Sequence, residues 1–228
     1  LGCLYQMGGP RFRGTCESFN WEPSSTMVEE YAGVAKGDKG YEEALDATYD
    51  DLAQRAVDGW RKENPIVVKA WRGIDKAAKA AISTPDSVHT VGKLKFKFTD
   101  VSGFNALIVH LPSGHCLTYP DAKVVDDNIE FWGVQPNTGG KWGWCRTYGG
   151  KLLENATQGA AGDIMRNGME CAEAAGYPAF MLVHDEILTV AKPGQTHEEL
   201  CELLCTIAPW MEGLPLDAEG GTIPYYKK

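Results

Sequence analysis

None of the seven cysteines falls in a Cys-x-x-Cys pair. Cys3, Cys16, Cys116, Cys145, Cys171, Cys201 and Cys205 are odd in number and scattered, which speaks against zinc knuckles and against a secreted disulfide framework. Cys201 and Cys205, one helical turn apart, read as small buried hydrophobes. No apolar run reaches the roughly 18 residues a membrane helix needs, and no basic-then-apolar signal segment opens the chain. A soluble, cytoplasmic protein with no membrane partner is expected. Positive charge is also scarce: 22 Lys and Arg stand against 31 Asp and Glu, a net charge of -9, which weighs against a general nucleic-acid binder. The deficit is uneven, because residues 53 to 100 hold ten Lys or Arg against five Asp or Glu. The chain also lacks an initial methionine: Leu1 falls in what reads as helix, so an upstream extension is expected.

What is present is ordinary globular composition, 228 residues with 43% hydrophobic and 23% charged, enough for one large domain or two small ones. Leu1 to Arg13 reads as the end of a helix broken at Gly8-Gly9-Pro10, and residues 14–40 as irregular. From Tyr41, the spacing of Leu45, Tyr49, Leu52, Ala56 and Trp60 predicts a helix with one apolar face. Asn64-Pro65 reads as the cap and first-turn proline of a second helix. Its stripe is Val67, Ala70, Trp71, Ile74, Ala78 and Ala81. The period then changes. Lys93 to Phe98 alternates strictly, a half-buried strand with a basic face that is either solvated or near phosphates. Phe104 to Leu111 and His115 to Tyr119 read as two more strands around a Pro112-Ser113-Gly114 turn. Residues 131–150, rich in Trp and Gly, read as a loop. A long helix over Lys151 to Ala175 ends at Gly176, and its run of Ala and Gly implies a close neighbour. Ala179 to Val183 reads as a buried strand, Ile187 to Val190 as its partner, and Thr196 to Glu199 as a capping box opening a last helix. The order is α+β, without the alternation of a parallel sheet.

The most informative stretch is Phe180 to Leu188, in which two apolar strands flank His184-Asp185-Glu186. In a tight hairpin, neighbouring side chains at the tip splay apart, so one carboxylate can face a cleft while the other braces it. The same three residues could equally form a charged turn; context decides.

That context is a resemblance. Thr147-Tyr148-Gly149-Gly150-Lys151-Leu152-Leu153-Glu154-Asn155-Ala156-Thr157-Gln158-Gly159-Ala160-Ala161-Gly162-Asp163-Ile164-Met165, with Val183-His184-Asp185-Glu186 about 20 residues later, resembles two adjoining motifs of family A DNA polymerases of the bacteriophage type. These are the palm helix beside the primer terminus and the carboxylate hairpin called motif C. Leu1 to Gly8 is similar to the end of the fingers helix, motif B. Leu111 to Pro120 is similar to a fingers hairpin of the phage branch, which commonly has Arg where His115 stands. Trp210 to Leu216 and Tyr226 to Lys228 resemble the family's carboxy terminus.

The resemblance implies a fingers part over residues 1–146 and a palm part over 147–228. It implies a DNA-directed DNA polymerase acting in replication, which adds deoxynucleoside triphosphates to a primer 3′ hydroxyl on primer-template DNA. Such transfer needs two Mg²⁺ held about 4 Å apart, each with a few hard oxygen ligands. Asp185 is implied as a metal-binding catalytic carboxylate and Glu186 as its electrostatic support. His184, Gln158, Asn155 and Glu154 are implied near the DNA, with Gln158 at minor-groove acceptors shared by all base pairs. Tyr5 and Leu1 are implied at the nucleotide. The second metal-binding carboxylate belongs to motif A, upstream of the fingers helix. The missing amino-terminal polymerase part, in the same or a separate chain, is therefore an implied partner, and the 228 residues alone are expected to be inactive. Asp163 is implied to be structural, not the second ligand. Two rivals remain: a metal-dependent nuclease or phosphatase using Asp185 and Glu186, and a non-catalytic DNA-binding or accessory module derived from a polymerase.

Overall fold

The computed structural model describes residues 6–136 and 138–226. Among them, four helices come first: α1 (Gly9–Ser18), α2 (Ser25–Ala32), α3 (Tyr41–Glu63) and α4 (Pro65–Ser83). Seven strands follow: β1 (Val88–Val91), β2 (Leu94–Val101), β3 (Phe104–His110), β4 (Cys116–Pro120), β5 (Lys123–Val125), β6 (Asn128–Val134) and β7 (Trp142–Thr147). Then come α5 (Gly149–Ala174), the hairpin β8 (Ala179–Val183) and β9 (Glu186–Thr189), and α6 (His197–Leu204). The first four strands form one sheet in sequence order, and β5-β6-β7 and β8-β9 form two antiparallel sheets. The fold is α+β, as the sequence predicts.

The chain divides into two compact units. One comprises the residues up to Val91 with Phe96–Leu107 and Tyr119–Glu154; the other comprises Gly92–Lys95, Ile108–Thr118 and the chain from Asn155 onward.

In the first unit the core lies on α3 and α4. Tyr49, Ala53 and Val57 of α3 are buried, as are Trp71, Ile74, Ala78 and Ala81 of α4. The stripe on α3 is therefore slightly rotated from the predicted one, and Ala56 is exposed. Each large side chain so buried contributes about 1.5–3 kcal/mol. The indoles of Trp60 and Trp71 stack with centroids 5.9 Å apart. Arg13 fastens α1 to α3 through ion pairs with Asp46 and Asp50, and also pairs with Glu17 on its own helix. Its guanidinium lies over the Tyr49 ring. A Cβ on Gly149 would lie 1.9 Å from the Trp71 carbonyl oxygen, so the first residue of α5 must be glycine.

Four local expectations are corrected. Residues 14–40 hold the end of α1 and all of α2, where the Ser24 hydroxyl accepts from the Met27 N–H; this cap was hidden in a glycine-rich stretch. Asn64 stands at the N-cap of α4 with Pro65 in its first turn, as expected, but its side chain does not cap that helix. Its side-chain amide instead donates to the Trp60 carbonyl, closing the end of α3. Residues 131–150 are not a loop, since β6 and β7 pair from Ile129↔Thr147 to Val134↔Trp142. Gly133 and Gly143 face each other across that pair, and glycine there marks close packing, not a turn. The fourth correction concerns β8, described with its hairpin below.

In the second unit the small residues of α5 admit close neighbours, as predicted. A Cβ on Gly159 would lie 2.7 Å from Leu111 Cδ1, and one on Gly168 2.8 Å from the Leu204 carbonyl oxygen of α6. The Thr196 cap is also as predicted, its hydroxyl accepting from the Glu199 N–H. The return arm of the box is diverted: the Glu199 carboxylate accepts from the buried Tyr177 hydroxyl, which in turn accepts from the Thr196 N–H.

Candidate catalytic hairpin

β8 and β9 pair so that Val183 faces Glu186, leaving His184 and Asp185 as the two residues of the turn. A two-residue turn needs backbone in the left-handed region, and His184 takes it with φ 55°. That conformation is uncommon for a residue with a Cβ, and such positions cluster at functional sites. The tip presents its side chains to solvent: His184, Asp185 and Glu186 are all exposed. Neither Asp185 nor His184 makes a side-chain hydrogen bond or ion pair with a described residue. The Asp185 carboxylate is a free, hard oxygen donor, the kind Mg²⁺ takes one or two of before filling its shell with water and phosphate oxygens.

Glu186 is differently placed. Its Oε2 accepts a hydrogen bond from the Tyr226 hydroxyl at 2.7 Å. The Glu186 carboxylate, followed by burial, holds the Tyr226 phenol above its ordinary value of 10.0. The two adjacent carboxylates thus differ, one unengaged and one braced by the carboxy-terminal segment. Sequence reasoning noticed Tyr226 but had no signal for its partner, 40 residues away.

The strands carrying this tip are not buried as expected. Phe180 is 61% exposed and Leu182 53% exposed, and Met181 and Val190 are exposed as well. An apolar run of five residues is compatible with a strand buried on both faces. Among the described residues, however, β8 pairs only with β9. A two-stranded ribbon alone is marginal in water, and further cover is what such strands need.

On α5, Gln158 is exposed and its side chain pairs with no described residue, while Asn155 is half-buried. Glu154 is half-buried and held in an ion pair with Lys151, 2.9 Å across. Asn155 and Gln158 are three apart, so they share one helix face. No hydrogen bond or ion pair among the described residues joins the tip of the hairpin to α5. Tyr5 and Leu1 lie outside the described residues.

No family model and no solved structure matches the chain. One curated protein does: over 179 residues the sequence is 35% identical to the DNA polymerase of Bacillus phage SP02. The chain is a relative of part of a phage DNA polymerase. The match takes in 75% of this chain and 27% of that polymerase, so the chain spans about a quarter of its relative's length.

A second polar cluster lies away from the hairpin, and no sequence spacing announces it. Asp163 of α5 has a side chain only 3% exposed. It accepts from the Ser113 hydroxyl, from Arg166 Nη1 at 2.9 Å, and pairs with His115 Nδ1 at 3.1 Å. Ser113 and His115 come from the turn between β3 and β4. A serine, a histidine and an aspartate meet here, but both hydroxyl and imidazole address the carboxylate. The Ser113 hydroxyl accepts from the His115 backbone N–H at 3.2 Å, and among the described residues no bond joins it to the imidazole that would have to activate it as a nucleophile. The cluster ties a turn to a helix, and three donors from two elements already engage its carboxylate.

Proposed function

We propose that this chain is the carboxy-terminal part of a template-directed DNA polymerase, with fingers residues over 1–146 and palm residues over 147–228. The observation that carries the reading is the relationship to a phage DNA polymerase across three-quarters of the chain. The exposed Asp185 at the tip of a strained two-residue turn supports it.

In this reading, Asp185 and a carboxylate from the missing amino-terminal part hold Mg²⁺. When bound, the ions supply charge stabilisation to the phosphoryl oxygens and to the attacking and leaving oxygens. Glu186, oriented by Tyr226, adds negative field at the site and contributes less to metal binding than Asp185. His184 projects from the same turn toward the primer end. Gln158 offers an amide able to donate to minor-groove acceptors, which tests pair geometry and not sequence. The uncovered apolar strands β8 and β9 favour a further segment of polymerase packing on them, in the same or a separate chain.

Purified alone with Mg²⁺, primer-template and all four deoxynucleoside triphosphates, the 228 residues should extend no primer. Supplied with the remainder of the polymerase, they should. Extension by the chain alone would overturn the division of the site. No extension with the remainder present would favour a DNA-binding accessory module.

A further inference from the structure

The outward face of the β5-β6-β7 sheet carries larger apolar groups than its inward face. Strand pairing sets Trp132 opposite Trp144 and Val134 opposite Trp142. Because side chains alternate along a strand, these four lie on one face. The other face holds the buried Ile129 and Cys145 with the glycine pair. A Cβ on Gly133 would come within 2.7 Å of the Phe131 ring, so a larger residue there would have to displace that ring. Trp142 is 60% exposed, Trp144 44% and Trp132 38%, placing three of the chain's seven tryptophans on one wet surface. Single exposed apolar residues need no explanation, but a contiguous patch of indoles marks a binding surface.

The surrounding charge indicates what binds. The Lys123 ammonium sits 3.4 Å from the centroid of the Trp144 ring. Arg146 lies on the same face, with Nε 3.2 Å from Glu130. Glu130 is the face's one carboxylate, answered by Arg146 and, at 4.0 Å, by Lys123. In a chain of net charge -9 this face is locally basic. Indoles interleaved with cations are the composition of a single-strand platform, where bases stack on rings and cations track phosphates. Geometry selects a single strand over a duplex. Trp142 and Trp144 are two residues apart on one strand, so their rings rise from points about 7 Å apart. Duplex bases are stacked about 3.4 Å apart and have no free faces, whereas an extended strand can unstack its bases to that spacing.

We propose that the Trp132-Trp142-Trp144 face binds single-stranded DNA without sequence preference, by stacking one base on Trp142 and a second on Trp144 as the Lys123 ammonium leaves that ring for a phosphate, with Arg146 pairing another phosphate. The choice of DNA rests on the proposed polymerase function; the stacking geometry does not. The test is titration of the full chain with fluorescein-labelled oligo-dT, read by anisotropy and by tryptophan quenching at several salt concentrations. Because no primer is extended in this assay, a failed polymerase reading leaves its result intact. Trp142→Ala should weaken oligo-dT binding by about tenfold, and Trp142→Phe should recover part of the loss. Lys123→Gln with Arg146→Gln should flatten the salt dependence. Circular dichroism should show all variants folded, since every substituted side chain is at least partly exposed. Equal binding by wild type and Trp142→Ala would overturn the proposal. So would equal affinity for blunt duplex, or a wild-type dimer in sedimentation that Trp142→Ala dissociates.

Discussion

Asp163 and Asp185 are both carboxylates that a metal site could recruit, and their surroundings demand opposite responses to removal. Asp163 is buried and accepts from Ser113 and Arg166, with His115 beside it. A hydrogen bond to a charged, buried acceptor contributes about 1.5–3 kcal/mol. The Arg166 side chain is 52% exposed, so solvent screening holds that pair below about 1 kcal/mol. Together, Asp163→Ala should cost about 2–4 kcal/mol. For a chain of this size each kcal/mol moves the melting temperature by about 2–4 °C, which gives a fall of roughly 4–16 °C. Asp185 has no described partner and is exposed, so Asp185→Ala should stay within about 0.5 kcal/mol of wild type. Thermal unfolding followed by circular dichroism at neutral pH compares the three proteins directly. If Asp163→Ala melts with wild type, or if Asp185→Ala melts as low as Asp163→Ala, the assignment of one carboxylate to structure and the other to chemistry is refuted.

Tyr226→Phe should free Glu186 while leaving the fold intact, and in the complete polymerase it should lower the extension rate without changing DNA affinity. Because the Tyr226 phenol is held above its ordinary 10.0, its bond to Glu186 is fully present below pH 10. It is lost as pH rises through the higher folded value, so a phenolate absorbance titration of Tyr226→Phe should lack one of the raised steps that Tyr49, Tyr177 and Tyr226 contribute in the wild type. At the hairpin tip, His184→Val places a β-branched residue in the left-handed region and should destabilise the hairpin by about 1–2 kcal/mol, whereas His184→Gly should be tolerated. Amide hydrogen exchange across β8 and β9 measures both, and equal protection in the two variants would contradict the turn geometry.

Sequence periodicity located the helices well where an apolar stripe met a core, as with Trp71, Ile74 and Ala78. It placed the acidic hairpin and the Thr196 cap correctly because both are short-range patterns. It failed where long-range pairing overrode local composition. Trp142-Gly143-Trp144 reads as a loop until β6 supplies Gly133 and Trp132 opposite it. Asn64 looks like a cap for the helix ahead, yet bonds the helix behind. Ala179 to Val183 has the composition of a buried strand, but burial depends on what covers it, and composition carries no such information. The bonds from Ser113 to Asp163 and from Tyr226 to Glu186 span 50 and 40 residues, and no local spacing encodes them.

The central claim is that Asp185 is one of the carboxylates at which nucleotide transfer is organised. The most direct measurement is single-turnover primer extension by the complete polymerase carrying Asp185→Ala, with primer-template affinity measured in parallel. Loss of a ligand that stabilises phosphoryl charge by several kcal/mol should slow extension about 10³-fold or more, with DNA affinity nearly unchanged. Extension at near wild-type rate, or a loss explained wholly by weaker DNA binding, would contradict it.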